Sequence, residues 1–484
     1  MRVISRIALA LLVMLAAGAA FAQDTGSIRG NVTDTTGAIV PGATVTLQNE
    51  ATRFSRNVVT DAKGDYYFGA VSPGVYTITV EIPGFKMSSR KGMRISQREA
   101  AGYDVVLEVG AQTERIEVTA TREMIQTQTG AREGLLTAEQ IDNLSVVGRS
   151  PLELLRILPG SVMPDVSSLE SVGNLTGVSN TNQDAQYAVN GIRGSNTVVT
   201  LDGSRLADFG SNNGVIVVPN NDMVSEVKVQ SSNYAAEFGS AGVQVNAITK
   251  GGSSEFHGTL YTYLRHYKFQ ANDRSNSITG TERPKSEFYY PGGNLSGPIL
   301  IPGTDFNKNR DKAFFFLGIE VQRQNIDFGS NLAVTPTAAQ RAGDFSALLA
   351  NQGSNLAQPT TVNIPGGFPG AGSAAPNNNL APYIDPFGQT LLNLYPAENY
   401  VDPANRYNYV FSKLEPQNRV QGVLRLDYNF TENTKMYVRL ANDSETLEKA
   451  RGAWWNSSSY DLPSSLSHQN KGRSISANLT SVLS

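Results

Sequence analysis

Cysteine is absent from this chain of 484 residues, and histidine occurs three times, at His257, His266 and His468. The first absence excludes a disulfide framework, a thiolate nucleophile and every zinc site built on Cys. The second leaves little for an imidazole metal site. Charge is scarce as well: 17% of residues are charged, with 40 basic side chains against 43 acidic ones and a net charge of −3. Such a chain has no global field to attract nucleic acid and does not read as a polyelectrolyte tail. Beyond the N-terminus no run reaches about 18 consecutive apolar residues, so the exported chain is either soluble or crosses a membrane as β-strands. No nucleophile elbow, metal pair or carboxylate pair of recognisable spacing is present, which argues against a hydrolase.

What the sequence does contain begins with a compartment signal. Arg2 and Arg6 precede the apolar run from Ile7 to Ala17, and Ala20-Phe21-Ala22 puts small residues at Ala20 and Ala22, where a signal peptidase reads. Residues 1–22 are therefore expected to be removed on export, leaving Gln23 first. The apolar run is about half the length of a spanning helix, which disfavours a membrane anchor.

Residues 23–110 carry short alternating runs, Ile28/Gly30/Val32, Ala43/Val45/Leu47, Tyr76/Ile78/Val80/Ile82 and Tyr103/Val105/Leu107/Val109. Turn chemistry separates them at Thr36-Gly37, Pro41-Gly42, Lys63-Gly64-Asp65, Ser72-Pro73-Gly74 and Pro83-Gly84. This spacing predicts half-buried strands in an all-β sandwich. The order Gly30-Asn31-Val32-Thr33-Asp34, Pro41-Gly42-Ala43-Thr44-Val45, residues 60–68 and Pro73-Gly74-Val75-Tyr76 resembles the carboxypeptidase regulatory-like domain, a transthyretin/Ig-like sandwich. The resemblance implies an accessory module. No His-x-x-Glu zinc pair follows any of the histidines, so the enzyme's chemistry is not implied.

Residues 111–130 read as a linker. Its stretch from Gln112 to Thr121 is polar on both sides with an apolar, β-branched centre, Ile116-Glu117-Val118-Thr119-Ala120, which suits a last sandwich strand, a plain linker or a peptide that docks by strand addition. Residues 131–253 read as a small α/β unit. Thr137 with Gln140 and Ser150 with Glu153 form two candidate capping boxes, with Pro151 at a first helical position and Gly160 as a stop. Runs at Val198-Val199-Thr200-Leu201, 224–229 and 243–248 predict strands. The loop at 190–196 lacks the Gly-Lys-Ser/Thr ending of a phosphate loop.

The motifs Leu154-Leu155-Arg156-Ile157-Leu158-Pro159-Gly160, Asn190-Gly191-Ile192-Arg193-Gly194, Leu201-Asp202-Gly203 and Val224-Ser225-Glu226-Val227-Lys228-Val229 stand in that order. Together they resemble the plug of a TonB-dependent outer-membrane transporter. The stretch from Tyr234 through Ile248-Thr249-Lys250-Gly251-Gly252 to Phe256-His257-Gly258 is similar to the plug-to-barrel junction of the Oar-like branch, whose members carry a regulatory-like domain in front. The resemblance implies that Ile116, Glu117, Val118, Thr119 and Ala120 are the TonB box, and that a TonB-type energy-coupling protein is the partner.

From residue 254 to 484 the alternation matches strands with one face towards lipid. Phe256, Gly258, Leu260, Thr262 and Leu264 fall on one side, and His257, Thr259, Tyr261, Tyr263 and Arg265 on the other. Val420/Gly422/Leu424/Leu426/Tyr428/Phe430 oppose Gln421/Val423/Arg425/Asp427/Asn429 in the same way. Stretches 313–322, 435–441 and 473–483 behave alike, whereas 288–299, with Pro291 and paired glycines, suggests a bulge. Connections alternate between long (268–285 and 325–418) and tight (302–311 and 431–434), as short periplasmic turns and long outer loops do.

About six strands can be counted against the 22 of a plugged transporter, and the last residues lack a terminal aromatic. The expectation is an incomplete antiparallel transmembrane β-barrel, the N-terminal part of a longer product, unable to form a pore alone. The overall fold expected is mostly β: sandwich, small α/β plug, then barrel strands. Two functions stand. One is the N-terminal part of a receptor that binds an unknown extracellular substrate and admits it by TonB-driven plug movement in the outer-membrane lipid. The other is an Oar-like surface adhesion or assembly protein without import. Neither needs a cofactor, and no residue identifies the substrate.

Overall fold

The computed structural model describes residues 24–110, 115–119, 130–144, 149–162, 188–192, 197–206, 215–218, 220–234, 242–280, 282–327, 331–350, 360–403, 407–411, 414–449 and 466–482. The first unit is a two-sheet sandwich. One sheet joins β1 (Gly26–Asp34) antiparallel to β4 (Asp65–Val71) and parallel to the short β7 (Ala100–Gly102) and β8 (Val105–Leu107). The other runs in the order β3 (Ser55–Val59), β2 (Thr44–Asn49), β5 (Gly74–Glu81), β6 (Met87–Ile95), β9 (Arg115–Thr119). The alternating residues Ile28, Val32, Val45, Leu47, Ile78 and Val80 meet Phe68 between the sheets. Burying each large apolar side chain contributes about 1.5–3 kcal/mol.

At Gly30 a Cβ would fall 1.7 Å from the Tyr103 carbonyl oxygen, so the β1 backbone approaches the β7–β8 connection more closely than any side chain permits. Strand β6 escapes the alternation pattern because Met-Ser-Ser-Arg-Lys-Gly-Met-Arg-Ile places only Ser89, Met93 and Ile95 in the interior.

The middle unit is built on a sheet ordered β10 (Arg132–Leu136), β15 (Val224–Ser232), β16 (Val243–Thr249), β13 (Thr197–Leu201), β14 (Ser204–Arg205), with a separate pair β11 (Ser161–Val162) and β12 (Ala188–Val189). The helix Ala138–Asn143 begins with the expected capping box between Thr137 and Gln140. The second expected box does not form. Pro151–Ile157 is a 3-10 helix in which the Ser150 hydroxyl accepts from the Leu152 amide, and it ends before Gly160. The tighter turn brings the amide of residue 152 rather than 153 to the Ser150 hydroxyl, which is not the pairing a capping box requires. Of the loop at 190–196, residues 193–196 lie outside the described residues, as do Ala20, Ala22, Gln23 and Ala120.

The third unit is an antiparallel sheet of six strands ordered β17 (His257–His266), β18 (Glu287–Pro298), β19 (Ala313–Asp327), β22 (Leu414–Asn429), β23 (Thr434–Lys449), β24 (Leu466–Ser481). The small ladder of β20 (Asn331–Ala333) and β21 (Tyr409–Phe411) lies in the connection after β19. Three strands reach 16 residues, beyond the roughly 9–11 that cross a bilayer. Leu260, Leu264, Ile319, Ile475 and Leu479 are exposed on the outer face, whereas Glu320, Gln322, Arg419, Gln421, Arg439 and Asp443 are buried on the inner one. Among the described residues the outer strands β17 and β24 do not pair with each other, so the sheet is not closed.

The bulge expected at 288–299 is absent. From His257↔Ser296 to His266↔Glu287 the β17 register never shifts, and Pro291 pairs with Thr262. On the other side the ladder to β19 skips Tyr290 and Pro291 and resumes in the same register at Gly292↔Glu320. Proline lacks only the amide donor; it removes a rung without adding a residue.

A polar seat for the middle unit and a joint to the sandwich

The middle unit sits against the inner face of the barrel sheet, and its apolar core continues into the wall: Phe316, Val423 and Ala441 pack with Leu201, Met223 and Val224. Around this apolar contact are three ionic nodes. The first depends on the Leu201-Asp202-Gly203 motif. Asp202 and Gly203 both have positive φ, 48° and 74°, and form the two-residue turn between β13 and β14. Asp-Gly suits such a primed hairpin turn. The Asp202 carboxylate then pairs with Arg425 at 3.2 Å and Arg439 at 3.0 Å, and accepts the Thr249 amide at 2.9 Å. The Tyr437 hydroxyl donates to the Asp202 carbonyl at 3.0 Å.

In the second node Arg149 pairs with Asp222 and with Glu320, the latter at 3.1 Å, and its guanidinium lies 3.8 Å from the Tyr263 ring centre. In the third, Arg419 binds Asp443 with two nitrogens, one at 2.7 Å, and the Val218 amide donates to the same carboxylate at 3.0 Å. Of the inward residues Tyr261, Tyr263, Arg265, Arg425 and Asp427, which pattern alone leaves as wet lumen lining or substrate contacts, Arg425 holds the middle unit directly, Tyr261 and Tyr263 face its Arg149, Asp427 pairs with Arg425, and Arg265 lies over the Phe288 ring of the wall. Arg439 falls within the alternating stretch 435–441, whereas Arg419 and Asp443 lie beyond the predicted stretches, in the extensions of β22 and β23; the partners of all three were not legible. Close fit extends to the backbone. A Cβ at Gly472 on β24 would fall 1.5 Å from the Ile216 carbonyl oxygen. Gly472→Ala is expected to cost about 1–3 kcal/mol as overpacking, seen as a lower midpoint in denaturant; an unchanged midpoint would show that the contact is not made.

The sandwich is fastened at the end of the barrel that carries the tight turns. Lys435, just after the 431–434 turn, donates to the Ala70 carbonyl at 2.9 Å and to the Ser72 hydroxyl oxygen at 2.6 Å. The Ser254 amide donates to Ala51 O at 2.9 Å. A cavity of about 650 Å³ lies between the three units, lined by Phe54, Tyr76, Glu226 and Tyr437 among others.

A buried polar joint then links sandwich and middle sheet. Residues 96–99, at the tip after β6, reach into β15 and β16. The Gln97 amide donates to Glu226 at 2.8 Å, and its side chain donates to the Asn246 carbonyl at 3.0 Å. Lys228 donates to the Gln97 carbonyl at 2.9 Å and pairs with Glu133 at 2.6 Å. Arg98 pairs with Asp24 at 3.3 Å, and Asn246 donates to Asp24 at 2.7 Å.

Burial pushes the Asp24 carboxyl up to about 6 against the opposing pull of Arg98, and Glu226 up to about 7 against the Gln97 amide. Both lie above the ordinary carboxyl value, so the docked joint holds protons more tightly than the separated one. Its stability is therefore lowest above about pH 7 and rises as pH falls towards about 4. Hydrogen exchange at 96–99, corrected for intrinsic rate, should slow between about pH 8 and about pH 5; a constant corrected rate would contradict this.

The candidate TonB box is in neither seat nor joint. Residues 115–119 form β9, the outermost strand of the five-stranded sandwich sheet, parallel to β6 from Met87↔Arg115 to Lys91↔Thr119. A quarter of what reads as a linker, five residues of twenty, is thus an edge strand, because its β-branched centre finds an open edge next to it.

These units define an outer-membrane β-barrel protein with an α/β domain seated on the inner wall and a β-sandwich at the tight-turn end. Residues 248–484 match the outer membrane beta barrel domain family, and residues 27–108 match the carboxypeptidase regulatory-like domain family. The TonB-dependent transporter Oar of Myxococcus xanthus is 28% identical over 320 residues, which is 63% of this chain and 27% of that protein. The chain is thus homologous to this transporter, and it joins an outer membrane beta barrel domain to a carboxypeptidase regulatory-like domain. It spans about a quarter of the length of this curated relative. Among solved structures, the outer membrane transporter YddB from Escherichia coli matches with a TM-score of 0.42 and 11% identity, over 72% of this chain and 37% of that one. The siderophore receptor PirA from Acinetobacter baumannii matches with a TM-score of 0.31 and 13% identity, over 70% and 43%.

Proposed function

We propose that the chain is the N-terminal part of an outer-membrane receptor that takes up an extracellular substrate by TonB-driven movement of the middle unit, the plug. The observation that carries this reading is the shared placement of the sandwich and the tight turns. Short turns face the periplasm in such barrels, so the sandwich and residues 116–119 lie on the side where an energy-coupling protein would reach them. The plug, held by ionic nodes rather than by apolar packing alone, is a part that can be withdrawn. Residues 1–22 are then the export signal, cut between Ala22 and Gln23, and residues 23–110, 111–130, 131–253 and 254–484 are sandwich, linker with TonB box, plug and barrel.

Deleting residues 116–120 should abolish capture of the purified periplasmic domain of a TonB-type protein while leaving the barrel in the outer membrane. Undiminished capture would reject the assignment of the box. Surface adhesion remains the second reading, favoured by one feature of the long connection opposite the sandwich. The helix Pro386–Leu392 has Phe387 71% exposed, and Leu394 just beyond it is 72% exposed, a pair of anchors facing outward. Cells carrying the 116–120 deletion distinguish the two, since an adhesin keeps its attachment to a surface without the box.

A further inference from the structure

The placement of β9 is not explained by the need to reach a partner. A segment recognised by strand addition offers its backbone N–H and C=O groups, and here one edge of residues 115–119 is already spent on β6. On its other side β6 is paired with β5, from Gly74↔Ile95 to Val80↔Ser88. The four residues that directly follow β6, the tip at 96–99, dock into the plug sheet through Gln97, Glu226 and Lys228. The strand that holds the box is therefore itself anchored to the plug.

We propose that the regulatory-like sandwich masks the 116–120 segment: β6 competes with the energy-coupling protein for it, and the partner takes the box only after β9 has peeled from the sheet. This rests on the reading of residues 116–120 as the TonB box. Masking follows from population. A segment docked about nine-tenths of the time lowers the partner's affinity about tenfold. Because the joint at 96–99 positions β6, a plug displaced by substrate would shift β6 as well, so substrate binding and box release become one event.

The absence of cysteine makes the test direct, since an introduced pair has no other thiol to react with. Met87→Cys with Arg115→Cys, and Lys91→Cys with Thr119→Cys, join register partners at the two ends of the ladder; Met87→Cys with Thr119→Cys is out of register. The purified chain in detergent is titrated with the periplasmic domain of a TonB-type protein, oxidised and reduced, beside a synthetic peptide of residues 112–123. Masking requires that both in-register pairs form disulfides and the out-of-register pair does not. It also requires that oxidation weaken binding at least about tenfold and that reduction restore it. Equal binding of the oxidised and reduced forms would overturn masking and show the partner adding to the outer edge of β9, with the box assignment intact. Failure of the in-register pairs to cross-link would overturn it as well. A peptide that does not bind would overturn the box assignment itself, and masking with it.

Discussion

Asp202→Ala is expected to loosen the plug from the barrel wall by about 3–5 kcal/mol, the usual cost of removing one member of a buried ion pair. The Asp202 side chain is 1% exposed and is shared by Arg425 and Arg439, themselves 14% and 0% exposed. Removing it leaves two guanidinium groups crowded at the plug surface, with Asp427, 2.9 Å from Arg425, as a remaining partner for only one of them. It also takes acceptors from the Thr249 amide and hydroxyl. Asp202→Asn separates charge from turn geometry. Asn tolerates positive φ, so the β13–β14 hairpin survives, and a loss nearly as large as that for Ala would assign the effect to the lost charge. The midpoint of a denaturant titration in detergent reads both variants, and an Asp202→Ala midpoint equal to that of the native chain would sink the argument.

The second large effect is expected at Lys228. Its side chain is 4% exposed, yet it pairs with Glu133 at 2.6 Å and donates to the carbonyls of Gln97 at 2.9 Å and Arg98 at 3.4 Å. Lys228→Met keeps most of the apolar stem and removes the ammonium from this joint, leaving Glu133 without that partner and both tip carbonyls without that donor. About 3–5 kcal/mol should be lost, and the loss should be local. The sandwich should separate from the plug, and protease cutting near 96–99 should accelerate, while the plug's seat on Arg425 and Arg439 persists. A double-mutant cycle with Glu133→Gln separates the ion pair from the carbonyl bonds. A change within about 0.5 kcal/mol, the range of an ordinary surface substitution, would mean that the joint is not closed in solution.

Much of the architecture could be read from local patterns. Strands β13, β16 and β17 fall where the runs at 198, 243 and 256 placed them, β22 covers its predicted stretch up to Asn429 and β23 contains its own, and both extend several residues further at the other end. The extensions were illegible because Leu414-Glu415-Pro416-Gln417 and Asp443-Ser444-Glu445-Thr446 carry no apolar face; above the lipid band a strand needs no alternation, only a neighbour to pair with. Strand β6 was missed for a similar reason, as Ser89 takes an interior place that a hydrophobic count does not see.

For the site, the sequence showed which residues point inward, since alternation has a period of two whatever the partner. It determined the class of the protein, the order of its units and the two-faced barrel strands, because these depend on residues within a few positions of one another. The tertiary structure alone decided who meets whom. Asp202 meets Arg425 and Arg439 across more than two hundred residues, Lys228 meets Gln97, and residues 115–119 lie on β6. Ion pairs and strand edges carry no periodicity, and their partners are chosen by the packing of whole domains.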